Sequence, residues 1–124
     1  MKIGEAFMRN NVLAAACLAT SFSALANDLT LTVSIFQRTK DNPIVMSYIS
    51  GLGQGYLYAN TKLLMDGMPR IYCQPIGLAL IGKNYVQLIE TEVQHPSSGH
   101  VYTEKTAIEV VLLNALLANF PCEK

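Results

Sequence analysis

Between Asp41 and Pro121 the apolar residues recur in steps of three and four, the spacing that gathers them on one face of a helix. The first stripe is Val45, Ile49, Leu52, Tyr56, Ala59 and Leu63, and it predicts an amphipathic helix running to about Leu64. Asp41-Asn42-Pro43 marks its start: either polar residue can cap, and proline in the first turn lacks only an amide that the helix leaves unpaired. Asp66-Gly67-Met68-Pro69 ends it. A second stripe, Leu80, Ile81, Tyr85, Leu88, Ile89 and Val93, is opposed by Lys83, Gln87, Glu90 and Gln94. A third helix is expected to open at Tyr102 or Thr103, with Glu104 in its first turn, where a negative charge suits the helix dipole. Its buried face would be Ala107, Ile108, Val111, Leu112, Ala115 and Leu116, and Pro121 stops it. Val110, Leu113 and Leu117 spread its apolar surface almost all round, which suits a central core helix or one at a subunit interface.

Two stretches read less simply. From Leu29 to Phe36 apolar residues alternate with Thr30, Thr32 and Ser34, a period of two that suggests a strand. A short helix capped by Asn27 or Asp28 is the other reading. Within the first long helix lie Ser47, Ser50, Gly51, Gly53 and Gly55. Each glycine costs a helix about 1 kcal/mol against alanine, so close approach of another helix is expected to offset them. Together the pattern predicts an all-α domain of about four helices, with antiparallel neighbours joined by short connections.

The amino terminus changes the picture. Lys2 and Arg9 precede an uncharged apolar run from Val12 to Phe22, and Ala24-Leu25-Ala26 places small residues where a signal peptidase reads them. Charged, apolar, then small is the order of a secretory signal peptide, and the run is shorter than the ~20 residues that cross a bilayer. Residues 1–26 are therefore expected to be a signal, with either Met1 or Met8 as its start, and 27–124 the mature domain. Cys17 falls inside the signal. Cys73 and Cys122 remain, and an even count in an exported chain reads as a disulfide unless the bond is intermolecular. Past Ala26, seven Lys and Arg face eight Asp and Glu, so charge gives no case for nucleic acid or an anionic membrane surface.

Candidate chemistry is sparse. His95 and His100 are the only histidines, and they lie in the loop His95-Pro96-Ser97-Ser98-Gly99-His100. Their spacing with Cys73 and Cys122 matches no zinc pattern. Gly51-Leu52-Gly53-Gln54-Gly55 lies in an apolar helical stripe and lacks the Lys-Ser/Thr ending of a phosphate loop. Glu90 and Glu92 point to different sides of one helix and do not converge as an acid–base pair. No enzyme activity, cofactor or metal is expected. Six tyrosines without tryptophan, namely Tyr48, Tyr56, Tyr58, Tyr72, Tyr85 and Tyr102, fit a binding protein or the edge of a core equally well.

Three segments taken in order resemble the Rap/Tai family of immunity proteins. They are Ser47-Tyr48-Ile49-Ser50-Gly51, then Tyr72-Cys73-Gln74-Pro75-Ile76-Gly77-Leu78 opening the next helix, then Leu116-Leu117-Ala118-Asn119-Phe120-Pro121-Cys122. Many members carry a second cysteine pair where Val33 and Val45 stand here. The resemblance favours helix over strand for 29–36. It implies a periplasmic homodimer that blocks a peptidoglycan amidase toxin delivered by type VI secretion, plugging the catalytic groove with a protruding loop. The segment from Pro96 to Tyr102, the longest polar connection between helices, is the candidate plug, with His95, Ser97, Ser98, His100 and Tyr102 as the residues expected to meet the partner. An HdeA-type acid chaperone, also small, helical and singly cross-linked, is the rival reading, although this chain is poor in groups that titrate at low pH. A structural subunit of the envelope is a third.

Overall fold

The computed structural model describes residues 30–124. The expected signal peptide, Cys17, the suggested caps Asn27 and Asp28, and Leu29 lie outside the described residues. Helix α1 spans Val33–Thr39 and starts because Thr32, in extended backbone, accepts the Ile35 amide on its hydroxyl. The helical reading of 29–36 holds from Val33 onward, with Thr32 as the cap in place of Asn27 or Asp28. The alternation ahead of it is realised as one isolated antiparallel bridge between Thr32 and Ala107, in which Val33 N–H donates to Thr106 O at 2.9 Å and Ile108 N–H to Leu31 O at 2.9 Å.

After a three-residue turn, α2 spans Pro43–Met65. Asn42 caps it, its side-chain oxygen accepting the Ile44 amide at 2.8 Å, and Pro43 fills the first turn as the sequence predicts. Gly67, at φ 72°, closes its far end, where the Gly67 and Met68 amides bond back to Leu64 and Leu63. Gly53 alone meets the close approach expected of the helix glycines: a Cβ there would lie 2.4 Å from the Tyr85 ring, whereas nothing stands within 4 Å at Gly51 or Gly55. Helix α3 spans Gly82–Gln94, opened by Asn84, whose side-chain oxygen accepts the Ile81 amide at 2.9 Å. It packs against both α2 and the last helix.

That last helix, α4, spans Ile108–Asn119, several residues later than the expected opening at Tyr102 or Thr103. Residues 103–106 instead form a turn, Thr106 N–H donating to Thr103 O at 3.0 Å. The carbonyls of Glu104 and Thr106 are directed at the first amides of α1, Ser34 and Val33. A carbonyl tied to another helix is not available to start α4, and Glu109 is the acidic residue of its first turn.

Four helices and no strand are present among the described residues. The core gathers Val33 and Phe36 of α1, Ile49 of α2, Tyr72, the inner face of α3 and Ile108, Val111, Leu112 and Leu116 of α4. Val33 is buried, and Val45 is partly buried against this core. Only α1 and α2 are joined by a short connection. The stretch from Asp66 to Ile81 is long and irregular, and Tyr72 to Leu78, expected to open a helix, is not helical. Gly77 at φ 86° interrupts it, and Pro75 cannot donate to a helical ladder. The disulfide Cys73–Cys122, with a Cα–Cα distance of 4.9 Å, ties this stretch to the end of α4, beside a bond from Cys73 N–H to Phe120 O at 2.7 Å.

Candidate functional site

Helix α3 ends at Gln94, with the His95 amide donating back to Thr91 O at 2.8 Å, and Pro96 prevents the helix from continuing. The chain then makes a tight turn through Ser97–Gly99, in which the His100 amide bonds to Ser97 O at 3.0 Å. Ser98 and Gly99 both take left-handed backbone, at φ 50° and 70°. Glycine does so freely, but for serine the conformation is strained, and something outside the turn must hold it.

Glu92 supplies that hold. It is 4% exposed, and one of its carboxylate oxygens accepts from the Ser97 amide at 3.0 Å, the Ser97 hydroxyl at 2.8 Å and the Tyr102 hydroxyl at 2.7 Å. Asn114 of α4 donates in turn to the Tyr102 oxygen at 3.0 Å, so the clasp is anchored on two helices. Burial alone would push the Glu92 carboxyl up. The bonds from Tyr102 and Ser97, with the nearby charge of His100, outweigh burial and hold it below the usual carboxylate range. Tyr102, partly buried and bonded to that anion, is pushed up to about 12.

Of the residues singled out in sequence, Ser97 and Tyr102 are thus brought together as the two feet of the loop. Ser98 and His100 stand exposed at its apex, the His100 ring tilted 6.1 Å from that of Tyr102, and His95 is exposed at the helix end. Three residues were not among them: Glu92, Asn114 and Val101, which is 86% exposed between His100 and Tyr102. Glu92 had a signal in the register. Tyr85, Ile89 and Glu92 follow one another at helical steps on the core face, and a carboxylate placed there needs bonding partners. The neighbouring Glu90 faces elsewhere, to Lys40 just past the end of α1, as the helical angle predicts. Cys73 and Cys122 are bonded to each other, and no cluster of three His, Cys, Asp or Glu side chains gathers among the described residues.

A second surface feature lies at the other end. A groove of about 300 Å³ runs between the last turns of α2 and the 70–78 stretch, walled by Leu57, Leu64 and Leu78, with Arg70 at its rim. Ile76 beside it is fully exposed, as Met65 nearly is. No helix among the described residues is long and apolar enough to cross a membrane. No family model, curated protein or solved structure matches the chain.

Proposed function

We propose that the chain is a periplasmic immunity protein that binds and inhibits a peptidoglycan amidase toxin delivered by type VI secretion. Residues 1–26 act as the export signal, and 27–124 work by stoichiometric binding, without catalysis of their own. The observation that carries this reading is the loop after α3: its feet at Ser97 and Tyr102 are fastened to a buried carboxylate, and its apex sets His100 and Val101 out into solvent. A short, fixed projection with an aliphatic tip is a shape that enters a cleft, and fixing it beforehand removes part of the ordering cost of binding. The motifs shared with the Rap/Tai family support the choice of an amidase as owner of that cleft. The homodimer that the same resemblance implies is proposed to use the exposed apolar side chains of α2 and the stretch after it.

The test is a pull-down of the exported protein against candidate peptidoglycan amidases delivered by type VI secretion, followed by digestion of purified cell wall. Binding with loss of digestion is expected, and a loop variant such as Val101→Asp should bind at least tenfold more weakly. Free digestion in the presence of excess protein would remove the immunity reading. The acid-chaperone reading has one observation in its favour, the apolar groove beside Ile76, and suppression of client aggregation at low pH would support it.

A further inference from the structure

We infer that Glu92 is the positioning residue of the recognition loop: its carboxylate fixes the path from Ser97 to Tyr102 before any partner is met. Only the purpose of the loop rests on the immunity reading; the clasp itself does not. Both feet of the loop converge on one oxygen, which leaves Ser98, Gly99, His100 and Val101 outside the clasp, and all four are exposed. Three donors crowded on a single oxygen are best held by a full negative charge, because hydrogen bonds to an ionised acceptor are about twice as strong as those to a neutral amide oxygen. The strained Ser98 would relax if the feet were released. Four residues held in one arrangement spare a partner the ordering of about 1 kcal/mol or more of backbone entropy for each. The cleft this apex fits has an apolar floor for Val101 and a polar wall for the His100 imidazole.

The clasp also carries a pH limit. The groups that face Glu92 are Tyr102 and His100 from the loop and Asn114, through Tyr102, from α4. Glu109, the one ionisable residue of α4, is bonded to Tyr48 of α2, Glu90 is turned to Lys40, and His95 is exposed at the helix end. Because the fold lowers the carboxyl's pKa, the clasp is complete above the ordinary value of 4.5 and opens only as pH falls through the lower folded value.

Amide exchange and backbone relaxation on the full exported protein test this without a partner. At pH 7, Glu92→Gln is expected to speed exchange of the Ser97 amide at least tenfold and to loosen residues 98–101, with order parameters falling from about 0.85 to below about 0.6. The amides of Ile89, Val111 and Leu112 should lose no more protection than the variant's change in global stability sets, while residues 98–101 loosen within the folded state. In the wild-type protein the same loosening should appear on acidification, below the ordinary carboxylate range. A rigid loop in Glu92→Gln overturns the inference, and so does loss of protection in the helices in step with the loop, which would make Glu92 a residue of the fold alone. Should the variant not fold, the wild-type acid titration decides: a loop that stays rigid until the helices melt overturns the proposal. Failure to bind an amidase would leave each of these readouts unchanged, so the two ideas fall separately.

Discussion

The two long connections of this domain are held by the same device in two chemical forms. The stretch from Asp66 to Ile81 is fastened by Asn60 of α2, 3% exposed, and the loop after α3 by Glu92. Asn60 touches only backbone: its oxygen accepts the Ile71 amide at 2.7 Å and the Tyr72 amide at 3.4 Å, and its NH2 donates to Tyr72 O at 2.6 Å. A neutral amide both gives and receives, so it can hold a peptide group from each side with no regard to the side chains there or to pH. Glu92 only receives, and two of its three donors are side-chain hydroxyls. Its hold is therefore written in the identities of Ser97 and Tyr102 and depends on its charge. The first connection is secured for the fold and carries a disulfide besides. The second is secured by a contact that depends on side-chain identity and on charge.

The largest effect separating the two ends comes from the disulfide. Closing a loop of 49 residues stabilises the fold by roughly 4 kcal/mol in the chain-entropy account. Reduction, or Cys73→Ser with Cys122→Ser, is expected to lower the melting temperature by more than about 15 °C. Melting unchanged by reductant would remove the structural role of the bond. Next comes Asn60→Ala, which strands a carbonyl and two amides around the buried Tyr72 and should cost about 2–3 kcal/mol. Denaturant unfolding at pH 4 and pH 7 should give the same loss at both.

Glu92→Gln should cost less, about 1–2 kcal/mol at pH 7, since one acceptor remains in place. The sign of its pH dependence follows from the lowered pKa: the carboxylate's contribution is present above the ordinary value of 4.5 and lost as pH falls through the folded value. The gap between wild type and variant should therefore narrow with acidification, where that of Asn60→Ala stays flat. Equal pH behaviour of the two variants would erase the distinction between the clasps.

What was legible in the sequence was what is decided locally. Asn42 and Pro43 start α2, and the cysteine count gives the disulfide. The stripes name most of the inward faces of α2, α3 and α4, although Ala59 is exposed and Leu80 and Ile81 precede α3, with Ile81 exposed. What was not legible depends on distant partners. The start of α4 moves to Ile108 because the Glu104 and Thr106 carbonyls cap α1, and nothing near Thr103 announces that. At Tyr72 to Leu78, Gly77 and Pro75 break the helix locally, and Asn60 and the disulfide fix the path that results from outside. Of three similar-looking glycines in α2, only Gly53 lies under a ring, since helix register against Tyr85 decides the matter. In the candidate site, loop residues showed in composition, whereas Glu92 showed only in its register with Tyr85 and Ile89, and its partners Ser97 and Tyr102 are set by the path of the loop.

The smallest predicted effect bears on backbone strain, which the two connections place differently. Gly77 in the first adopts φ 86° with nothing within 4 Å of where a Cβ would stand, so Gly77→Ala meets no steric neighbour and only the left-handed backbone resists it. A loss of about 1 kcal/mol is expected from unfolding curves. Ser98 in the second already bears a side chain at φ 50°. Ser98→Gly relieves that strain but also gives the unfolded chain more freedom, and the two largely cancel, leaving a change within about 0.5 kcal/mol. If Ser98→Gly instead stabilised the fold by more than about 1 kcal/mol, the strain at the apex would be uncompensated. The three bonds to Glu92 would then be weaker than the geometry implies, and the loop would be a turn that tolerates its clasp without being shaped by it.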